Sequence, residues 1–499
     1  METLEHQNKP KNTVLEENII LFLGIALFYG VGFAIAFYKN YTGITFLFIV
    51  AATLAVCGLF LKKSGIAWKT QNLYYVIPVV LLGISTMSTT NTFIVFFNTV
   101  GILLLLAAFM LQQMYSDSDW NLIQYIRNIV LLYMRMISKI GVPFSNFGKY
   151  IREKRETKQK NPNTKYIIQG ILIGIPMLFL VLVLLSSADA VFAEYIGDGL
   201  SFFWENNIFH SDSKVRTILV LIVLGFLGIY TFLSALTSNN MLEQAKKQEK
   251  KNPITAITFI MMITAVYLIF CMIQIVYLFG GKMTLPAGYT YASYARQGFF
   301  QLLFLCIFNL MLVLCCMTKY EMSRLLRIVL LVFSGCTYMM IASSVYRMIM
   351  YIDAFYLTFL RILVLWFLAL LAVLMAGVMG NIIKENFSLF RYGIVVVTVF
   401  YLVFSFGHPD YWIAKYNLAM MEDEMSYSDV SYLCSLSLDA APAIAQCEPE
   451  HEHSDEKYWC VACKLEEYFE EVEDTELNIR TFNLSKYHAV KSAEKYLGE

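Results

Sequence analysis

Residues Tyr356–Gly380 read Y-L-T-F-L-R-I-L-V-L-W-F-L-A-L-L-A-V-L-M-A-G-V-M-G. Arg361 is the only charge, and the residues after it are apolar or small. A helix needs about 20 mostly apolar residues to cross a bilayer. This stretch meets that length, and it is not alone. Ten others meet or approach it: 18–38, 42–61, 73–88, 92–112, 166–186, 216–236, 255–280, 298–317, 327–348 and 390–407. The third is the shortest, with Ser85, Thr86, Ser88 and Thr89 diluting its end. The whole chain of 499 residues is 58% hydrophobic and 15% charged, against about 25% charged in soluble domains. The expected fold is therefore an all-α polytopic transmembrane bundle of about eleven spans. It carries a small helical domain at its C-terminus.

Basic loops orient the spans. Lys149–Lys165 holds seven Lys/Arg and two acids. Lys246-Lys247-Gln248-Glu249-Lys250-Lys251 marks a second basic loop, Lys62, Lys63 and Lys69 an earlier one, and Lys319, Arg324 and Arg327 a later one. Basic loops stay cytoplasmic. All four agree with a multi-pass protein of the cell membrane, N-terminus inside and C-terminus outside. The apolar run has no small-residue cleavage site after it, so it reads as a retained span rather than a signal peptide.

Trp120–Ile140 is apolar but broken by Gln124, Arg127, Asn128, Arg135 and Lys139 at helical spacing. That pattern predicts an amphipathic helix in the inner interface. The expected organisation is a four-span segment (1–113), a cytoplasmic amphipathic helix and basic loop (114–165), a seven-span core (166–407) and an acidic extracytoplasmic helical domain (408–499). That last segment holds 20 Asp/Glu against 7 Lys/Arg.

Polar residues near span ends sort to the predicted outer side. They are Asp189, Gln274, Tyr291, Tyr294, Arg296, Gln297, Arg347, Asp353, Thr358 and Arg361. Ionisable groups at such depth are costly and call for a function. Three readings stand. The arginines and aspartates pair to lock the outer ends of the bundle, they form a pocket for an anionic lipid or solute, or they make a surface on which a partner docks. Tyrosines at that depth are also ordinary interface residues.

Cys447, His451, His453, Cys460 and Cys463 cluster within C-E-P-E-H-E-H-S-D-E-K-Y-W-C-V-A-C. They are zinc-ligand types at close spacing. Outside the membrane the cysteines, with Cys434, also suit disulfides. A solvated acidic loop is the third reading. No phosphate-binding G-x-x-x-x-G-K-[ST], no G-x-S-x-G and no H-E-x-x-H occurs, so the sequence gives an enzyme little support. The expected partners are the bilayer, an anionic lipid or solute, and a membrane or envelope protein. No nucleic acid is expected.

Several stretches resemble a known family. They are L-L-S-S-A-D-A-V-F-A (184–193), I-Q-I-V-Y-L-F-G-G (273–281), Y-T-Y-A-S-Y-A-R-Q-G-F-F-Q-L-L (289–303), S-S-V-Y-R-M-I-M-Y-I-D-A-F-Y-L-T-F-L-R (343–361), I-A-K-Y-N (413–417) and S-Y-L-C-S-L-S-L-D-A-A-P-A (431–443). Together they resemble uncharacterised bacterial polytopic membrane proteins, the domain-of-unknown-function 4153/4173 group, over roughly residues 165–445. Tyr356 stands where that group often has a glycine before Leu-Thr, and the tail after 445 has no counterpart. The resemblance implies a bacterial envelope setting and transfers no activity. Three functions remain in view: transport or lipid and solute handling at the outer Arg/Tyr/Asp cluster, a membrane sensor or accessory subunit using the acidic C-terminal domain, and, with least support, an envelope enzyme using Asp189 or Asp353 as a base.

Overall fold

The computed structural model describes residues 13–115, 122–155, 174, 213–237, 250–276, 291–384, 388–421, 426–447 and 461–498. Among them the chain is helical, with no strand and one isolated bridge between Lys251 and Tyr320. Nine helices are long and apolar enough to cross a membrane. They are α1 (Ile19–Phe37), α2 (Ile44–Lys63), α4 (Thr92–Met114), α7 (Ser213–Leu236), α8 (Pro253–Gln274), α9 (Tyr291–Lys319), α10 (Arg324–Phe355), α11 (Phe359–Ile383) and α12 (Leu389–Phe406). Each falls on a stretch expected from the sequence, which makes this a multi-pass membrane protein.

Two of the eleven expected spans are not among the nine. The fifth, 166–186, lies outside the described residues. The third forms α3 (Leu73–Ser88), which is 16 residues long and contains Pro78. At about 1.5 Å per residue it falls short of a hydrocarbon core of about 30 Å. Its polar end does not continue the helix into lipid. Ser85, Thr86, Ser88 and Thr89 are buried and hydrogen-bonded instead.

The remaining described helices of eight residues or more are α5 (Leu122–Ser138), α6 (Val142–Arg155), α13 (Pro409–Met421), α14 (Tyr427–Cys434), α15 (Val461–Glu473) and α16 (Leu484–Leu497). Helix starts carry side-chain caps that satisfy the free N–H groups. Asn252 accepts from Ile254 N at 3.0 Å, with Pro253 at the first helical position. Ser426 and Asp429 form a capping box on α14, a reciprocal arrangement that satisfies two donors. Asn483 caps α16, which ends at Gly498 in the left-handed conformation.

The contacts divide the chain into two units. Unit 1 comprises Met1–Ile84, Thr99–Gln244 and Ile479–Thr481. Here α1 and α7 pack at glycines. A Cβ on Gly30 would stand 2.5 Å from the carbonyl oxygen of Ile222, and one on Gly225 would stand 2.7 Å from Cβ of Phe33. Small residues let helices approach closely where lipid supplies no hydrophobic drive between them. Lys69 Nζ donates to the carbonyl oxygens of Gln112 (2.8 Å) and Tyr115 (3.4 Å) at the end of α4. A cation there meets the negative end of the helix dipole.

Unit 2 comprises Ser85–Asn98, Ala245–Asn478 and Phe482–Glu499. One apolar cluster joins α8, α9, α10 and α11 through residues such as Ile260, Val313, Leu330, Phe333 and Leu368. A second joins α13–α16 through Val430, Leu433, Ile444, Leu465, Phe469 and Ala489.

The Gly30 contact yields a test. Gly30→Leu is expected to destabilise the protein by about 1–3 kcal/mol, the usual cost of overpacking. Gly24→Leu is expected to be neutral, since nothing lies within 4 Å of its Cβ position. Thermal unfolding in detergent checks both.

Candidate functional site

Asp439, within the family-like stretch 431–443, is the hub of a polar cluster in unit 2. It sits on a single helical turn, Leu438–Ala440. Its Oδ1 accepts from Thr90 N (2.8 Å), Thr90 Oγ1 (2.9 Å) and Ser485 Oγ (2.6 Å). Its Oδ2 accepts from Thr89 Oγ1 (2.5 Å) and faces His408 Nδ1 at 3.0 Å. Burial alone pushes this carboxyl up, but the hydrogen bonds from His408, Ser485, Thr89 and Thr90 outweigh it and hold the pKa below the usual carboxylate value. Asp410 is the contrasting neighbour. Its Oδ2 accepts from Asn91 Nδ2 (2.8 Å), Ser437 N (3.2 Å) and Ser437 Oγ (2.5 Å). Burial dominates there, and with the charge of Asp439 it raises the Asp410 pKa. Asn483 Nδ2 adds a bond to the carbonyl oxygen of Thr89 at 2.9 Å.

A second knot lies in the short link between α10 and α11. Asn417 reads the backbone of Leu357 on both sides: Oδ1 accepts from Leu357 N at 2.8 Å and Nδ2 donates to Leu357 O at 2.9 Å. Arg361 Nη1 donates to the carbonyl oxygens of Phe355 and Tyr356. Its guanidinium stands 4.2 Å over the ring of Tyr351. Tyr356 itself has φ +60° and ψ −175°, a region that glycine adopts easily and other residues do not. This accounts for the glycine expected before Leu-Thr in the family-like pattern.

Polar side chains also line the inside of the helices. Asn309 Nδ2 donates to Thr337 Oγ1 (3.1 Å), and its Oδ1 accepts from Tyr267 OH (2.9 Å). Ser343 Oγ donates to Gln274 Oε1 at 2.7 Å. Ser344 and Arg347 are buried farther along α10. Asn98 forms a comparable node, accepting from Tyr401 OH and Ser405 Oγ at 2.9 Å each.

The expected site residues are thus distributed as follows. Gln274 and Arg347 are buried on the same tract of α8 and α10. Thr358 precedes α11 with no side-chain cap bond, and Asp353 is exposed and makes no ion pair among the described residues. Arg361 Nη1 donates to carbonyl oxygens, and among the described residues Arg361 makes no ion pair. Tyr291, Tyr294, Arg296 and Gln297 form the first turns of α9, and their side chains lie outside the described residues, as does Asp189. His451, His453 and Cys460 are outside them too. The described cysteines Cys434, Cys447 and Cys463 form no disulfide. No group of three His, Cys, Asp or Glu suited to a metal occurs among the described residues.

Sequence reasoning missed Thr89, Thr90, Asn91, Ser437, Asn483 and Ser485, because each looks like an ordinary cap or turn residue. Asn98 and Asn309 did carry a signal: an amide in the middle of an apolar span needs a partner.

Two predictions follow from the hub and the link. A carboxylate with a depressed folded pKa contributes stability above its unfolded pKa, and that contribution is lost as pH falls through the folded value. Asp439 should therefore cost stability in acid below about pH 4, the unfolded carboxylate range. Asp410, shifted the other way, opposes this by destabilising the fold as pH rises. Asp439→Ala is expected to cost about 1–3 kcal/mol and to flatten the acid limb, because it strands buried donors. A pH series of thermal unfolding reads this. Tyr356→Gly is expected to gain about 1 kcal/mol by relieving the backbone, read in the same assay at neutral pH.

No curated protein and no solved structure matches the chain. A family profile does, over residues 76–447, so the match begins in α3, well before the motifs quoted above. On that match, which covers more than half of the sequence, the chain belongs to the family described as domain of unknown function DUF4153.

Proposed function

We propose that the protein handles an anionic lipid headgroup or solute at the end of unit 2 where α8 and α10 finish, with Arg347 as the binding cation. The observation that carries this reading is the burial of Arg347, 7% exposed, within a membrane-length helix. An intramembrane ionisable residue is expensive and marks a substrate, ion or partner site more often than a packing role. Polar side chains continue from it down α10, through Ser344 and Ser343 to Thr337. From 347 back to 337 is about 15 Å of helix, half the hydrocarbon thickness. Gln274 and Asn309 meet this tract from α8 and α9. Arg361 lies over Tyr351, one turn beyond Arg347. Guanidinium groups bind carboxylate and phosphate with paired, directional donors. The basic-loop rule puts this end outside the cell, so the site takes its ligand from the extracytoplasmic side or the outer leaflet.

A second reading rests on a different observation. α13–α16 build their own apolar cluster, and Asp439 fastens that region to the loop at Thr89–Asn91. An ordered acidic region with a fixed attachment also supports a sensor or accessory role.

Arg347→Ala and Arg347→Lys separate these. Yield and melting temperature are read alongside for both, so that a loss of stability is told apart from a loss of binding. Arg347→Ala is expected to lose about ten-fold or more in retention of phosphatidylglycerol, read by native mass spectrometry, consistent with losing a charge-assisted contact. Arg347→Lys should lose less. Unchanged lipid retention, or a loss confined to yield and stability, defeats the binding role.

A further inference from the structure

We infer that α5 and α6 form a re-entrant hairpin, entering and leaving the bilayer on one side, with its apolar face against lipid acyl chains. The first leg is fixed at two heights on α4. Tyr125 OH accepts from Gln112 Nε2 at 3.2 Å, and Tyr133 OH donates to the carbonyl oxygen of Leu103 at 2.7 Å. Going from 125 to 133 on α5 therefore goes from 112 back to 103 on α4. Eight residues of one helix match nine of the other, about 12–14 Å each. α5 runs antiparallel to a spanning helix, from that helix's last turns toward its middle. A helix lying flat at the interface could not reach Leu103, which is nine residues inside Gln112.

The second leg returns. Val142 N and Ser145 N close the turn onto the carbonyl oxygens of Lys139 and Gly141. Asn146 Nδ2 then donates to Tyr230 OH at 3.0 Å, six residues inside Leu236 on α7. Leu236 marks the same end as Gln112, since Tyr115 OH donates to its carbonyl oxygen at 2.8 Å. Three residues after Asn146, Lys149 pairs with Glu16 at 2.7 Å, just ahead of α1. The chain has come back to the end that carries Lys69 and, by the basic-loop rule, faces the cytoplasm.

Apart from the long cationic side chains of Arg127, Arg135 and Lys139, which can extend toward the interface, the outward surface of α5 is aliphatic. Ile126, Val130, Met134 and Ile137 are 55–65% exposed and recur on one face of α5, while Tyr125 and Leu132 on the other sides are buried. At the depth of Leu103 an exposed aliphatic stripe meets acyl chains, not water. Buried non-spanning backbone is tolerated at such depth when its hydrogen bonds are made internally, as these two helices do.

A depth profile tests this in the full-length protein, reconstituted in phosphatidylethanolamine–phosphatidylglycerol vesicles. Spin labels go on Ile126→Cys, Val130→Cys, Met134→Cys and Ile137→Cys, with the unsubstituted chain as background. The ratio of oxygen to water-soluble nickel collisions should rise steadily from 126 to 137. Equal values at all four sites indicate a helix flat at the interface and overturn the inference. High nickel access throughout, or protection from both reagents by a protein partner, also overturns it. A second measurement needs no substitution: lipids with a diazirine at mid-chain should label the peptide 134–144. Absence of label there, with label on spanning helices, defeats the hairpin.

Discussion

A buried polar group in this protein has no water to turn to, and that constraint organises both units. Unit 2 answers it at Asp439, where five donors converge on one carboxylate. The donors come from the loop before α4, the end of α12 and the first turn of α16. Removing solvent makes each of these bonds stronger and each omission costlier. One charge therefore ties the first turn of α16 to the entry of α4, in addition to the apolar cluster that packs α16 among α13–α15. Inside the helices the same constraint takes a neutral form, with Asn309 and Asn98 each collecting hydroxyl groups from neighbouring helices.

The link between α10 and α11 shows how the chain handles a strained turn. Tyr356 occupies a glycine conformation, and the turn persists because its surroundings over-determine it. Asn417 holds the peptide of the next residue from both sides, and Arg361 closes over the carbonyl oxygens before it. Two stretches far apart in sequence, I-D-A-F-Y-L-T-F-L-R and I-A-K-Y-N, are thus one local structure. Arg361 also serves as a C-terminal cap on α10.

The spans were legible because hydrocarbon thickness sets a length that composition can reveal. α1, α2, α4 and α7 to α12 all stand where apolar length placed them. That Leu122–Ser138 would form a helix was legible from its spacing as well. The hub was not. Asp439 sits in a quoted motif, yet its partners Thr89 and Ser485 are 350 and 46 residues away. Periodicity reports the environment along one helix and carries no information about which distant loop will supply a donor. Arg347 was visible as a charge near a span end, and its depth of burial was not.

The separation of Thr89 from Asp439 also bears on how the protein is made. Thr89–Asn91 leave the ribosome and reach the membrane long before Asp410, Ser437, Asp439 and Ser485 exist. Until the final helix is synthesised, α3 and α4 carry hydroxyl and amide groups whose native acceptors are missing. The loop at Thr89–Asn91 can therefore reach its native bonding only after Asp410, Asp439 and Ser485 have been made, some 320 to 400 residues later in the sequence.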